Sequence, residues 1–234
     1  LGELQLKNRV VMAPLTRSRA TKDRVPTAMM AEYYAQRASA GLIIAEATVI
    51  SEQANGYLNT PGLFNQAQVE GWKLVTDAVH AKGSLIVSQL WHVGRVSHPD
   101  LLDGATPVSA SNVQQAGYVS LLRPKREYVV PRALEIAEIH AIKEQYKQAA
   151  IYAKEAGFDG VELHAANGYL IDQFLQSTTN LRDDQYGGSV ENRARFLLEV
   201  VDALIEVWGA GRVGVHLAPR GDEHDMGDAA PRET

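Results

Sequence analysis

The chain has 234 residues, 45% of them hydrophobic and 22% charged, a composition typical of a globular protein and one that favours a single domain over residues 1–234. The formal net charge of −5 argues against nucleic acid or an anionic membrane as a partner, and no run approaches the roughly 18 apolar residues of a membrane span. The absence of cysteine excludes disulfides and thiolate metal sites and suits the cytoplasm, where we expect the protein to reside.

Short apolar runs alternate with helical segments along the chain. Residues 10–13 are predicted to form a strand that stops at Pro14, and Thr27 to cap a helix that ends before Gly41. Residues 42–45 are then a continuous apolar strand. Such runs, buried on both faces and alternating with helices, are typical of a parallel sheet.

The next unit repeats this order. Asn65 is the predicted N-cap of a helix that ends at Gly83, and residues 85–92 are the third strand. Polar groups again cluster at the carboxyl end of this strand. The stretch that follows, at about 97–131, contains Pro, Ser and Gly and two β-like pieces, and we interpret it as an inserted β-hairpin that forms a lid.

Two further units complete the pattern. A long helix at about 136–156 precedes the fourth strand, which begins near Gly160, and Ser189 caps a helix before the fifth strand at 213–217. Because the informative polar residues follow strand ends, we predict an α/β fold of the (β/α)8 TIM barrel type, with only about the first five β/α units in this chain. A doubly wound sheet is less favoured, because no Gly-x-Gly-x-x-Gly turn follows the first strand.

The fourth strand ends in an unusual group of polar side chains. Polar and apolar residues alternate along 161–164, so His164 ends the strand on one face, and Asn167 and Tyr169 follow on a turn that Gly168 permits. An imidazole, an amide and a phenol therefore converge, as at an α/β active site. Taken alone, His164 could equally be a hydrogen-bonded core residue.

Other chemistries lack their motifs. No His-Glu-x-x-His occurs and we expect no metal site, so the acidic residues around His224 are interpreted as a solvated tail. No Gly-x-Ser-x-Gly elbow supports a serine nucleophile. Gly187 and Gly188 before a helix could bind an anion, but a tight turn is the favoured interpretation.

Four longer motifs follow one another along the chain. They are Asn-Arg-Val-Val-Met-Ala-Pro-Leu-Thr-Arg at 8–17, Gln-Leu-Trp-His-Val-Gly-Arg at 89–95, His-Ala-Ala-Asn-Gly-Tyr-Leu at 164–170 and Tyr-Gly-Gly-Ser-Val-Glu-Asn-Arg at 186–193. In this order they resemble the Old Yellow Enzyme family of FMN-dependent ene reductases, especially its bacterial N-ethylmaleimide reductase branch. The resemblance runs from Leu6 to Asp228. It implies that the last three β/α units are absent, so that further chain or a complementary partner completes the barrel.

The resemblance implies FMN as the cofactor and NAD(P)H as its reductant, in a ping-pong reaction that reduces the C=C bond of an activated alkene. The alkene would carry a carbonyl, nitro or maleimide group. The residues that would contact the flavin are Pro14, Leu15, Thr16, Ala47, Gln89 and His216. His216 stands where the family usually has an arginine, and a neutral imidazole would stabilise the reduced flavin anion less well than a cation.

The resemblance also assigns roles around the substrate. His164 and Asn167 would donate hydrogen bonds to the substrate oxygen and so stabilise the negative charge that develops there. Tyr169 would protonate the α carbon as a general acid. Tyr57 and Trp91 would shape the substrate pocket.

Two other interpretations remain open on the sequence. The chain could be a flavin-free barrel enzyme, such as an aldolase or isomerase, or a non-catalytic fragment that assembles with a complementary segment. Finding whether FMN co-purifies with the protein would separate these interpretations.

Overall fold

The computed structural model describes residues 1–232. Five of its strands lie side by side in one parallel sheet of order β1-β2-β4-β7-β8, with the short β3 paired to β4. The strands are β1 (Val11–Met12), β2 (Leu42–Ile44), β3 (Thr48–Val49), β4 (Leu85–Trp91), β5 (Val108–Ser109), β6 (Arg132–Ala133), β7 (Val161–Ala165) and β8 (Val213–Leu217). The sheet curls into half of a barrel, which confirms the predicted fold class.

Helices connect consecutive strands of this sheet. They are α1 (Ala28–Ala35), α2 (Gln66–His80), α3 (Ile136–Glu155), α4 (Leu170–Leu175) and α5 (Val190–Trp208), with short 3-10 turns at Pro99–Leu101, Ala210–Arg212 and Glu223–Asp225. Within residues 1–232, no helix combines the length and the apolar composition that a membrane crossing needs.

All three predicted N-cap residues, Thr27, Asn65 and Ser189, stand at the starts of their helices, and two of them make the side-chain cap bond. Asn65 accepts a hydrogen bond from the backbone of Gln68 at 3.0 Å, and Ser189 caps α5 in the same way. The Thr27 hydroxyl instead donates to the carbonyl of Arg19, so it makes no cap bond to α1. That helix ends at Ala35, and turns lead from there to Gly41.

The core lies between the sheet and the helices. Ile43 and Ile86 point into it, together with Trp72 of α2 and Tyr146 of α3, and each of these side chains is buried. The neighbouring residues Leu42 and Val87 belong to a separate small cluster with Leu4, because successive side chains of a strand point to opposite faces. The sheet therefore has an outer face under helices and an inner face that curves around the barrel axis.

The insertion between β4 and α3 has little regular structure. Its base is the short parallel pair β5–β6, and its two β-like pieces meet in one antiparallel bridge between Tyr118 and Glu127. The backbone nitrogen of Val119 donates to the carbonyl of Arg126 at 2.8 Å, which closes the turn. A role of this turn as a lid stays a prediction.

The cap of α2 gives a direct test of local stability. Replacing Asn65 with Ala removes the only side-chain acceptor for the Gln68 amide among the described contacts, so we expect the free energy of unfolding to fall by about 1 kcal/mol. The urea midpoint measures this change. Asn65→Asp is the matched control, since its carboxylate can still accept the bond, and an unchanged midpoint in Asn65→Ala would contradict the assignment.

Candidate active site

The predicted site residues lie at the carboxyl ends of the barrel strands. Because the five long-range strand pairs are parallel, these ends meet along one edge of the sheet. Pro14, Leu15 and Thr16 follow β1, and Ala47 lies between β2 and β3. Leu15 and Thr16 are exposed, whereas Pro14 is half-buried and Ala47 is buried. The sheet therefore gathers residues that are far apart in the sequence.

Four polar side chains form a row across β4, β7 and β8. Gln89 is in register with Glu162, and His164 is in register with His216. The Gln89 amide donates to the Glu162 carboxylate at 2.7 Å, and its nitrogen lies 3.4 Å from Nδ1 of His216. The two imidazoles stack with their centres 5.2 Å apart. Glu162 and His164 thus share the inner face of β7, as their spacing predicts.

Aromatic rings surround His164. The ring of Trp91 stacks with it at 6.3 Å, and Tyr169 meets the edges of both His164 and Trp91 with centres 4.9 Å apart. Tyr57 packs on Trp91 with centres 5.2 Å apart. These four residues come from different loops and strands, so the fold brings the predicted donor, acid and pocket residues into one cluster.

The imidazole of His164 is neutral at ordinary pH. The side chain is only 5% exposed, and its Nδ1 has no hydrogen-bond partner among residues 1–232. Burial, with a smaller contribution from His216, lowers the pKa of His164 to about 3. A neutral imidazole carries one N–H donor, so His164 can donate a hydrogen bond without bringing a charge into the site.

Asn167 and Gly168 make the turn that positions the next residues. Both have a left-handed backbone, with φ of 57° and 77°. The amide of Gly168 donates to the carboxylate of Asp172 at 2.9 Å. A Cβ on Gly168 would lie 2.8 Å from side-chain atoms of His224 and Met226, so only glycine fits here. The glycine predicted for this turn is therefore required both by its backbone angle and by its neighbours.

Tyr169 follows this turn as the N-cap residue of α4. Its hydroxyl oxygen lies 3.0 Å from that of Tyr57, within hydrogen-bond distance. Burial, followed by the nearby phenol of Tyr57, raises the pKa of Tyr169 well above its usual range. Tyr169 is therefore protonated at neutral pH and can act as a proton donor.

His224 is a contact residue that the sequence pattern did not reveal. Its Nδ1 lies 2.6 Å from the carbonyl oxygen of Asn167, and its ring centre lies 5.3 Å from that of Tyr169. Arg95 holds it in place by donating to the His224 carbonyl at 2.7 Å. His224 follows the carboxyl end of β8, and this position is the feature of the sequence that could have indicated a place in the site.

The prediction of a solvated acidic tail around His224 is confirmed for Asp222 and Asp225, which are exposed, and is wrong for Asp228. Met226 is buried, and the Asp228 carboxylate pairs with Arg193 at 3.0 Å while accepting the amide of Ser177. Asp225 accepts the backbone amide of Ala116 from the insertion. A buried cation and the amide of Ser177 therefore hold the Asp228 carboxylate against the protein, and the amide of Ala116 holds that of Asp225.

Tyr128 is a second residue that sequence reasoning missed. It comes from the insertion, is buried, and interacts electrostatically with both Tyr57 and Tyr169. Burial, followed by Tyr57, raises its pKa to about 12. No local spacing points to Tyr128, because its contacts depend on how the insertion folds back over the strand ends.

The described residues offer polar groups to a cofactor but no metal cluster. Within residues 1–232 there is no group of three or more His, Cys, Asp and Glu side chains that could hold an ion. Gln89 and His216 instead present an amide and an imidazole on the inner face of the sheet. These groups suit a cofactor recognised through hydrogen bonds.

The chain is similar to proteins whose family is known. The model of the family described as NADH:flavin oxidoreductase / NADH oxidase matches residues 1–232. The 12-oxophytodienoate reductase 7 of Oryza sativa subsp. japonica is 49% identical over 236 residues, which are 99% of this chain and 60% of that protein. The structure of the old yellow enzyme homologue from Zymomonas mobilis is 50% identical with a TM-score of 0.97, covering 99% of this chain and 65% of that one.

A third comparison is with morphinone reductase in complex with tetrahydroNAD. This structure is 55% identical with a TM-score of 0.95, and 99% of this chain covers 65% of it. Fold and site together define a parallel (β/α) barrel segment with its functional groups at the strand ends. The chain belongs to the NADH:flavin oxidoreductase / NADH oxidase family, which confirms the predicted resemblance. It spans about three fifths of the length of the curated relatives it matches.

Two buried histidines predict how stability depends on pH. Burial lowers the pKa of both His92 and His164 to about 3, whereas an unfolded histidine titrates near 6.5. As the pH falls below about 6.5, these two imidazoles bind protons in the unfolded state but not in the folded state. The free energy of unfolding should therefore fall by about 1 kcal/mol per pH unit for each residue. Urea midpoints between pH 7 and pH 4 measure this slope.

The variant His92→Asn separates this effect from other acid titrations. Nδ1 of His92 accepts the amide of Gly94 at 3.1 Å, and the asparagine oxygen can take over that bond. We expect the variant to lose stability less steeply with falling pH than the wild type. Identical slopes in the two proteins would contradict the account.

Proposed function

We propose that this chain carries the active site of an FMN-dependent ene reductase, which passes hydride from NAD(P)H through the flavin to the C=C bond of an activated alkene. One observation carries the proposal: a neutral imidazole with an unpaired ring nitrogen lies beside a protonated phenol at the strand ends. This pair can stabilise an oxygen that gains negative charge and can also deliver a proton. The name of the 12-oxophytodienoate reductase relatives supports a small unsaturated carbonyl compound as the substrate.

The residues present fit a flavin ring. Two buried polar atoms, Nδ1 of His164 and Nε1 of Trp91, have no hydrogen-bond partner among the described residues. Thr16, Gln89 and His216 would supply a hydroxyl, an amide and an imidazole to the ring, while Pro14, Leu15 and Ala47 would line it. Bound FMN would supply the hydride, and these groups would tune its electronics.

His164 and Asn167 would hold the oxygen of the substrate. The neutral imidazole can donate one hydrogen bond, and the Asn167 amide lies on the turn that begins just after β7. Donors fixed in a buried site stabilise the charge that develops on a carbonyl or nitro oxygen, because they need no reorganisation. The rings of Tyr57 and Trp91 would form the apolar wall of the pocket and exclude water from it.

Tyr169 would deliver the proton to the α carbon of the substrate. The phenol O–H bond breaks, a C–H bond forms, and the hydride adds to the β carbon. The elevated pKa of Tyr169, due first to burial, keeps the proton on the phenol until hydride addition makes the α carbon of the substrate basic.

Further parts of the proposal rest on the sequence. An N-ethylmaleimide reductase-like specificity and a cytoplasmic location follow from the motifs and the composition. Within residues 1–232, β1 and β8 each have one strand partner, which supports a complementary segment or chain that pairs with these edges. The greater length of the relatives agrees with this.

The function is tested by complementation. Residues 1–234 are co-expressed with the remaining barrel segment of a relative, and residues 1–234 alone serve as the comparison. We expect the completed barrel to bind FMN and to oxidise NADPH only when an activated alkene such as N-ethylmaleimide is present. A folded, completed barrel that binds no flavin would instead favour the flavin-free enzyme or the non-catalytic fragment.

The role of Tyr169 gives a sharper prediction. In the flavin-loaded protein, Tyr169→Phe should slow alkene reduction about a hundredfold while leaving flavin reduction by the nicotinamide nearly unchanged, because only alkene reduction consumes the proton. Stopped-flow absorbance of the flavin measures the two half-reactions separately. An equal loss in both would mean that the variant disturbs the flavin rather than the proton donor.

A further inference from the structure

The hydroxyl of Tyr57 is the one polar group of the described residues that lies within hydrogen-bond distance of the Tyr169 hydroxyl. The two oxygens are 3.0 Å apart, and either can be the donor. Tyr57 is held from both sides: its ring packs on Trp91, and its backbone amide donates to the side chain of Asn55 at 3.2 Å. Its position is therefore fixed by the fold and does not depend on Tyr169.

From this contact we propose that Tyr57 is a positioning residue for proton delivery, donating its hydrogen bond to the Tyr169 oxygen as that oxygen loses its proton and then passing a proton on to it. The inference rests on the proposed function, in which Tyr169 is the acid. It assigns to Tyr57 a task beyond shaping the pocket.

The proton balance needs only water. The Tyr169 O–H bond breaks as the substrate C–H bond forms, which leaves a phenolate on Tyr169. The Tyr57 proton moves across the 3.0 Å contact to this phenolate, and Tyr57 then takes a proton from solvent. Tyr57 and Tyr169 are both half-buried, so the hydrogen-bonded pair lies at the border between the core and water, from which Tyr57 can recover its proton.

The energetics favour this direction of the hydrogen bond. While both phenols are neutral, Tyr169 donates to Tyr57, and this bond raises the pKa of Tyr169. Once Tyr169 has lost its proton, Tyr57 donates in return, and this charge-assisted bond is about twice as strong as the neutral one, so its loss outweighs the first effect. Burial makes an unassisted phenolate at position 169 costly, since it raises the pKa of Tyr169. Among the described residues, no hydrogen bond joins the Tyr128 hydroxyl to that of Tyr169, so Tyr57 alone is placed for this task.

The test places a more acidic tyrosine analogue, 2,3,5-trifluorotyrosine, at position 169 and follows its ionisation by fluorine NMR. In residues 1–234, Tyr57→Phe keeps the ring on Trp91 and removes only the hydroxyl, so we expect the pKa of the analogue to rise by about one to two pH units. Tyr152→Phe, a half-buried phenol on α3, is the matched control and should leave it unchanged. An unchanged pKa in Tyr57→Phe would overturn the inference.

A kinetic measurement separates this inference from the proposed function. In the flavin-loaded protein, Tyr57→Phe should slow the proton-dependent alkene reduction about tenfold, with little change in substrate KM or in flavin reduction. If Tyr169→Phe slows alkene reduction and Tyr57→Phe does not, the relay is wrong and the proposed acid stands. If neither variant slows it, the proposed role of Tyr169 itself fails.

Discussion

The arrangement of the strand ends depends on one buried amide, that of Gln173 on α4. Its nitrogen donates to the carbonyls of Val93 and Gly168, and its oxygen accepts the Arg95 amide and the Ser109 hydroxyl. One side chain thus satisfies four groups from the loop after β4, the loop after β7 and the insertion, at no exposure to water. It also explains the glycine at position 94, where a Cβ would lie 2.1 Å from the Gln173 oxygen.

Desolvation sets the chemistry of the cluster that this amide holds together. The same burial that lowers the pKa of His164 raises the pKa of Tyr169, so both groups are uncharged before a ligand arrives. Their hydrogen-bond donors are then available for negative charge that appears during a reaction, in a site where few waters compete. The carboxylate of Glu162, which lies in the same row, is kept close to Gln89 and His216.

Sequence reasoning succeeded where periodicity and parallel strands decide the outcome. His164, Gln89 and His216 share one face of the sheet because their strands are in register and alternate with period two. It did not predict that the Thr27 hydroxyl bonds outside α1, or that the Asp228 carboxylate pairs with Arg193, which lies 35 positions away in the sequence. Such pairs leave no local pattern. Tyr128 was missed for the same reason, since its neighbours are set by the path of the insertion.

The central claim is that His164 and Asn167 together bind an oxygen that carries negative charge. The most direct measurement is the affinity of the flavin-loaded protein for phenol, compared with toluene, which has the same ring but no oxygen, in His164→Ala and Asn167→Ala. We expect each variant to weaken phenol binding about tenfold and to leave toluene binding nearly unchanged, because one hydrogen bond to the ligand oxygen is lost. Unchanged phenol affinity in both variants would contradict it.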